Sequence, residues 1–345
     1  AGPGEPDWVL QTRSVKIDLD ANEGIADGAV LRFLGLPILA LPSLSFPLNN
    51  ARKSGWLPPT INIDNRSGVQ LAVPYYWNIA PNHDATLAPR VITRRGLALD
   101  AEFRYLEASD EGKLTLDWLP NDRVAGGARG ALQWQHEGRW GRDVVYRADL
   151  ARVSDQDWWK DFPGAARSDT PRLLPMHAAV ERSFAVTGGE GLLYARTTHW
   201  QVLQAADSLM ASPYERGPQL GLRVDAGAAG WRFAVETEYN RFTLPNNQDT
   251  TQGRLVGSRL HLLGALSHPW RAPGWWVVPK LSVNAASYRN ASSSVASGVA
   301  TRVSASRVIP SFSIDAGFEL ERDTEAFGRA LHQTLEPRLL YVSTP

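Results

Sequence analysis

Residues 231–242 read WRFAVETEYNRF, and their order decides the fold class. Trp231, Phe233, Val235, Thr237 and Tyr239 alternate with Arg232, Ala234, Glu236, Glu238 and Asn240. Successive side chains of an extended chain point to opposite faces, so this is a strand with one greasy and one polar face. The same period of two continues outward in both directions. Upstream, Leu99, Ala101, Phe103 and Tyr105 alternate with Asp100, Glu102 and Arg104, and Val15, Ile17 and Leu19 with Lys16, Asp18 and Asp20. Downstream, Phe312, Ile314, Ala316, Phe318 and Leu320 alternate with Ser313, Asp315, Gly317 and Glu319. No segment carries a convincing amphipathic helical repeat, and the fold is expected to be all-β.

Several segments are long for a globular strand, notably 173–186, 191–204 and 231–242. A strand that crosses a bilayer at a tilt needs about 9 to 11 residues. The connections alternate as well: 154–172 long, 187–190 short, 205–218 long, 226–230 short, 243–252 long. Long and short loops on opposite rims characterise outer-membrane barrels. Trp56, Trp77, Trp200, Trp231, Trp275 and Trp276 fall near segment ends, where an interfacial girdle would hold them. Soluble sandwiches and β-helices share the alternation, and pattern alone leaves both open.

Composition narrows the function. Lys plus Arg and Asp plus Glu number 36 each, and no block is strongly basic, so nucleic acid is not an expected partner. The absence of cysteine excludes disulfides and thiolate chemistry within these residues. The most apolar run, 34–48, is broken by Pro37, Pro42 and Pro47 and cannot be a spanning helix. The seven histidines show neither HxH nor HExxH spacing, so no metal is expected, and no phosphate or dinucleotide loop points to a cofactor. Glu236 and Glu238 could imitate a glycosidase pair, but acidic alternation on a polar face accounts for them. No enzyme is expected.

Residues 1–66 differ from the rest, with shorter strands and Pro-rich apolar turns, and RKSGWLPP (52–59) reads as a linker. Val69, Leu71, Val73, Tyr75 and Trp77 share the greasy face of the next strand, with Pro74 inside it; Pro89 interrupts the strand after. Proline gives a ladder no N–H and belongs at edges, ends or bulges.

An ordered series of motifs then resembles the LptD (OstA/Imp) family. It runs through LPSLSFPL (41–48), RKSGWL (52–57), PYYWNIAPNHDATLAPRVITRRG (74–96), EFRYL (102–106) and RVSDQDWWKDF (152–162). HWQVLQ (199–204), PYERGPQL (213–220), FELERD (318–323) and QTLEPRLLY (333–341) continue it in order.

The resemblance implies lipopolysaccharide assembly at the outer membrane of a Gram-negative bacterium. Lipopolysaccharide would arrive from a periplasmic bridge, LptA, into a jellyroll, and leave through a laterally opening barrel plugged by the lipoprotein LptE. Residues 1–50 would end the jellyroll, 51–66 link, and 67–345 begin a partial outer-membrane antiparallel β-barrel that faces membrane lipid. Pro74 and Pro89, with Tyr76 and Asn78 beside them, would weaken the gate-forming strands. Val15, Ile17, Leu19, Val30, Leu31 and Phe33 would form a trough for acyl chains. Asp100, Glu102, Arg104, Arg232, Glu236 and Glu238 would line a polar path for sugar and phosphate. The alternative is a general outer-membrane porin or receptor. The ending VSTP, where the family continues through further strands, suggests a fragment, and Ala1 in AGPG stands where the family has cysteine. Counting strands from a periplasmic N-terminus puts 154–172 on the periplasmic rim, against the usual rule.

Overall fold

The computed structural model describes residues 8–20, 22–49, 52–162, 172–203, 212–245, 256–293, 300–326 and 328–345. At Trp8, Phe33, Leu39, 291–293, 300–303 and Ala326 it describes the backbone alone. Ala1 and the interiors of the long connections at 163–171, 204–211 and 246–255 lie outside the described residues. The described chain is antiparallel β almost throughout, and its helix is four residues long, so the all-β expectation holds. The chain divides into two compact units, 1–136 with 150–171, and 137–149 with 172–345.

The first unit opens with β1 (Trp8–Gln11), β2 (Ser14–Asp18), β3 (Glu23–Phe33) and β4 (Leu36–Pro47). β1 and β2 share one edge of β3, and β4 takes the other. Then come β5 (Gly55–Trp56), β6 (Thr60–Asp64), β7 (Gly68–Ala72), β8 (Tyr75–Ala80), β9 (His83–Ile92), β10 (Gly96–Leu106) and β11 (Asp110–Leu119). β12 (Arg129–Trp140) and β13 (Val144–Val153) follow, their shared hairpin end at 137–149 belonging to the second unit, and α1 (Trp158–Asp161) lies in the connection after them.

Two differences from the sequence reading matter. The expected linker carries β5, which pairs with β8, and β6, which makes a hairpin with β7. These strands are short and separated by Leu57-Pro58-Pro59, so no alternation of useful length announces them. The strand read over 69–78 is two strands, because Pro74 stands at the break between β7 and β8. The extra hairpin changes the strand count by one. Arg52 therefore meets the β8–β9 turn at one end of this sheet, donating to the Pro81 carbonyl at 3.0 Å. The 154–162 segment packs at the opposite end, against the β6–β7 and β9–β10 connections and the start of β12.

The second unit contains β14 (Leu173–Val186), β15 (Gly189–Val202), β16 (Glu215–Ala228), β17 (Trp231–Thr243) and β18 (Val256–Ser267). It continues with β19 (Trp270–Ala272), β20 (Trp275–Ser293), β21 (Ala300–Phe318), β22 (Leu320–Ala326), β23 (Arg329–Leu335) and β24 (Arg338–Ser343). β14 to β18, β20, β21 and β24 pair in that order, and β22–β23 is a separate hairpin. The turn joining β16 to β17 has positive φ at both Ala229 (52°) and Gly230 (82°), the left-handed pair that matches strand twist in a two-residue hairpin. Trp231 and Trp275, which open β17 and β20, keep exposed faces.

Aromatic rings lie across glycines on neighbouring strands. Tyr105 faces Gly112, Tyr194 faces Gly221, Trp276 faces Gly317, and in the first sheet Phe46 faces Gly24. A Cβ at any of these glycines would collide with its ring. The ring covers the backbone that glycine leaves bare.

Candidate functional site: a proline-weakened seam between an apolar trough and a polar face

The apolar trough forms where the β1–β4 sheet meets the Trp56–Pro59 turn. Leu10, Ala29, Leu31, Leu41 and Leu44 face Trp56 to Pro59 around a cavity of about 560 Å³. Of the expected trough residues, Leu31 lines this cavity. Val30 is half-buried beside it, whereas Val15, Ile17 and Leu19 are exposed on β2 and the turn after it. The Phe33 side chain lies outside the described set. Lys53 pairs with Glu23 of β3 at 2.7 Å, tying the sheet to the chain that leaves it.

The trough ends on the seam. Leu57 donates its N–H to the Pro74 carbonyl at 2.8 Å, and Val73 donates to the Pro89 carbonyl at 3.1 Å. A residue's N–H and C=O leave the same edge of a strand, so opposed residues of an antiparallel ladder normally exchange two bonds. Proline cannot return the second. Both ladders thus keep half a pair at these positions, one between β9 and Val73, the other between Pro74 and Leu57. Pro89 faces Leu99 on its other side with its nitrogen turned away, so the β9–β10 ladder is unaffected. β9 runs through Pro89 without interruption, because the lost donor falls where the β7–β8 break already interrupts pairing.

Beyond the seam the polar face begins. The Tyr76 hydroxyl accepts from Arg52 Nε at 2.8 Å and donates to buried Asp84 at 3.1 Å. Asp84 also takes a two-pronged contact from Arg104, 2.8 Å on each arm, and pairs with Arg52. Asn78 donates its backbone N–H to Ser54 Oγ at 2.9 Å and its side-chain amide to the Arg52 carbonyl. Glu102 pairs with Lys113 at 2.5 Å, and Asp100 with Arg90 at 2.9 Å. Arg104 and Glu102 thus belong to one charged network with Tyr76 and Asp84, while Asp100 sits in a separate pairing with Arg90 and Asp117.

The far end of this face is covered by the segment that contains α1. Arg95 (1% exposed) and Arg129 (4%) both contact Asp122 (0%), at 2.6 and 2.9 Å. Each also reaches Asp161 at 2.8 Å, and Arg129 grips Asp155 with two bonds of 2.7 and 2.8 Å. The Phe162 ring lies under three guanidinium groups, those of Arg90, Arg95 and Arg129, at 5.2 to 5.8 Å. Burial pushes the Asp122 carboxyl up, but hydrogen bonds from Arg129, Arg95 and the Val124 and Ala125 N–H groups outweigh it and hold it below the ordinary range. Asp155 is lowered the same way, burial opposing and Arg129 and Ser154 prevailing.

In the second unit Arg232 is exposed, and Glu236 pairs with Arg223 at 2.9 Å. Glu238 accepts from the Tyr194 hydroxyl (2.6 Å), Gln219 (2.7 Å) and Asn240 (2.5 Å). Glu236 and Glu238 are each committed to local donors. Among the described residues no three His, Asp or Glu are placed to hold a metal ion, and no helix is long and apolar enough to cross a membrane.

Comparison with known proteins decides the family. The model for LptD, LPS transport system D, matches residues 127–345, and a second LptD protein model matches 25–137. The chain belongs to the LptD family. The LPS-assembly protein LptD of Polaromonas sp. (strain JS666) is 40% identical over 99% of this chain and 42% of its own length. The corresponding proteins of Acidovorax sp. (strain JS42) and Ralstonia nicotianae are 39% and 37% identical, again over 99% of this chain and 42% and 41% of theirs. This LptD chain therefore spans about two fifths of the length of these curated relatives. A solved bacterial polysaccharide outer membrane secretin covers 79% of it and is covered to 89%, at 9% identity and a TM-score of 0.27, too low to carry an argument.

Two parts of the candidate site are not singled out by the sequence. Arg52 sat in what read as a linker. The Arg95–Asp122–Arg129–Asp155–Asp161 cluster carries no periodic signal because its paired members lie 7 (Asp122–Arg129) to 66 (161 − 95) residues apart. Its one local signal was RVSDQDWWKDF, a loop too rich in aromatic residues to be merely solvated.

Proposed function

We propose that this chain takes part in lipopolysaccharide assembly at the outer membrane, handing the lipid sideways through the seam beside Pro74. The observation that carries the reading is the bond from Leu57 to Pro74. An apolar trough and the weakest ladder of the sheet share one residue. Acyl chains held between Leu31 and the Trp56–Pro59 turn would reach the bilayer by parting the Leu57–Pro74 hydrogen bond and the two-residue β5–β8 ladder beside it. The sugar portion cannot follow them into hydrocarbon and would travel along the charged face of Tyr76, Asp84, Asp100, Glu102 and Arg104.

In this reading β1–β4 are the periplasmic part, and the Arg52 end of the sheet faces the periplasm. The long 154–172 connection then lies on the outer side, as the rule for outer-membrane barrels expects. The remaining partners are a periplasmic bridge protein, LptA, and a plug lipoprotein, LptE. The test is a photoreactive residue in place of Leu57 or Tyr76 in the complete protein in living cells. A lipopolysaccharide adduct at Leu57 that vanishes on depletion of the bridge is the expected result. A folded protein with no adduct at either position would remove the handover and leave a general pore as the better description.

A further inference from the structure

We propose that the polar cavity between β6–β7, β10–β11 and the α1 segment binds an uncharged sugar residue. The cavity holds about 530 Å³ and is lined by Asn62, Asp64, Gln70, Arg90, Asp100 and Asp117, with α1 closing one side. That volume lies within the ordinary range of small-ligand sites, roughly 300 to 1,000 Å³.

The case rests on atoms left over. Asp100 and Asp117 stand directly opposite each other on β10 and β11, an arrangement that repels. One guanidinium serves both, with Arg90 Nη2 2.9 Å from Asp100 and 3.4 Å from Asp117. Asp100 Oδ1 is close enough for the ion pair but lacks hydrogen-bond geometry, and Arg90 Nε has no acceptor; both atoms are buried. Gln70 gives its amide to Asp64 at 2.8 Å and leaves its carbonyl only a long 3.4 Å contact from Arg90. Buried polar atoms seek partners. The unpaired Arg90 Nε donor beside two carboxylates that share one guanidinium suits a hydroxyl, which donates and accepts at once.

Charge decides against phosphate. Asp64, Asp100, Asp117 and Asp161 line the space against Arg66, Arg90 and Lys160. Arg66 is committed to the Lys160 carbonyl at 2.6 Å, and Lys160 to Asp157 at 2.6 Å. An anion would meet a surplus of carboxylate. The cavity is also shaped in advance, because Arg95 and Arg129 fix Asp161 and so the cover itself. The competing occupant is ordered water.

The inference rests on the function proposed above, in which sugar passes along this face. The experiment uses the complete protein with its plug lipoprotein in detergent. The probe is the oligosaccharide freed from the cell's own lipopolysaccharide by mild acid and then dephosphorylated. Saturation-transfer NMR should show contact with the sugar protons. Binding should weaken by about fivefold in Gln70→Ala, as for the loss of roughly one net hydrogen bond, and further in Gln70→Ala/Asp117→Asn. Glu321→Gln, on the separate β22–β23 hairpin, should bind as the parent does, and inorganic phosphate should not compete. Absent transfer to the parent, equal transfer to the Gln70 variant, or displacement by phosphate would each overturn the site. If the Leu57 adduct persists while the sugar contact is absent, the site falls alone; if both are absent, the function falls with it.

Discussion

Arg129 is the residue on which the far end of the first unit depends. It compensates Asp122, Asp155 and Asp161 together, so Arg129→Ala takes the guanidinium from Asp155 and leaves Asp122 and Asp161 to share Arg95 alone. Breaking a buried pair in this way costs about 3 to 5 kcal/mol, and the temperature at which the folded protein loses its compact gel mobility should fall accordingly. The effect should depend on pH. Asp122 and Asp155, both in connections outside the strands, are held below the ordinary carboxylate range. Their contribution is complete above the unfolded value, about pH 4, and is lost as pH falls through the folded one. Parent and Arg129→Ala should therefore differ most at neutral pH and converge in acid. None of these partnerships was legible in the sequence, since burial and charge pairing across separate connections leave no periodic trace. Asp100, Glu102 and Arg104 were legible as one face because alternation within a single strand reports it directly.

At the scale of elements, the seam is set by two absent donors. Restoring them with Pro74→Ala and Pro89→Ala allows two further bonds, each worth about 1 kcal/mol net, or roughly fivefold in the opening equilibrium. Arrival of newly made lipopolysaccharide at the cell surface, followed by pulse labelling, should slow in the double variant, and unchanged arrival would sink the gate. The joints between rings and glycines make a separate prediction. Gly317→Val forces Trp276 off β21 and should cost about 1 to 3 kcal/mol, with part recovered in Gly317→Val/Trp276→Ala. Thermal melting of the refolded protein reads both. Long strands such as β14 to β17 were legible from their period, whereas β5 and β6 were not. Two and five residues broken by Pro58 and Pro59 offer no period to read.

For the molecule as a whole, orientation follows from the hairpin the sequence concealed. With β6–β7 counted, the β10–β11 turn and the Arg52 end share a side, and the β11–β12 connection lies opposite. Residues 1–345 contain no cysteine, so a probe placed here is compared with the same protein lacking it. Ala125→Cys should react with an impermeant maleimide on intact cells, and Ser109→Cys only once the outer membrane is breached. The reverse pattern would invert the orientation proposed here. The glycine positions also bear on how so long a sheet finds its proper alignment. A two-residue slip keeps every greasy face greasy, so hydrophobicity cannot detect it. The rings can. Tyr105 would land on Asp110 or Leu114, Tyr194 on Gln219 or Arg223, and Trp276 on Asp315 or Glu319. Each ring faces a glycine only in the native register, so a slipped pairing would set it against a side chain. Assembly would thereby be proofread hairpin by hairpin, before the next strand is committed.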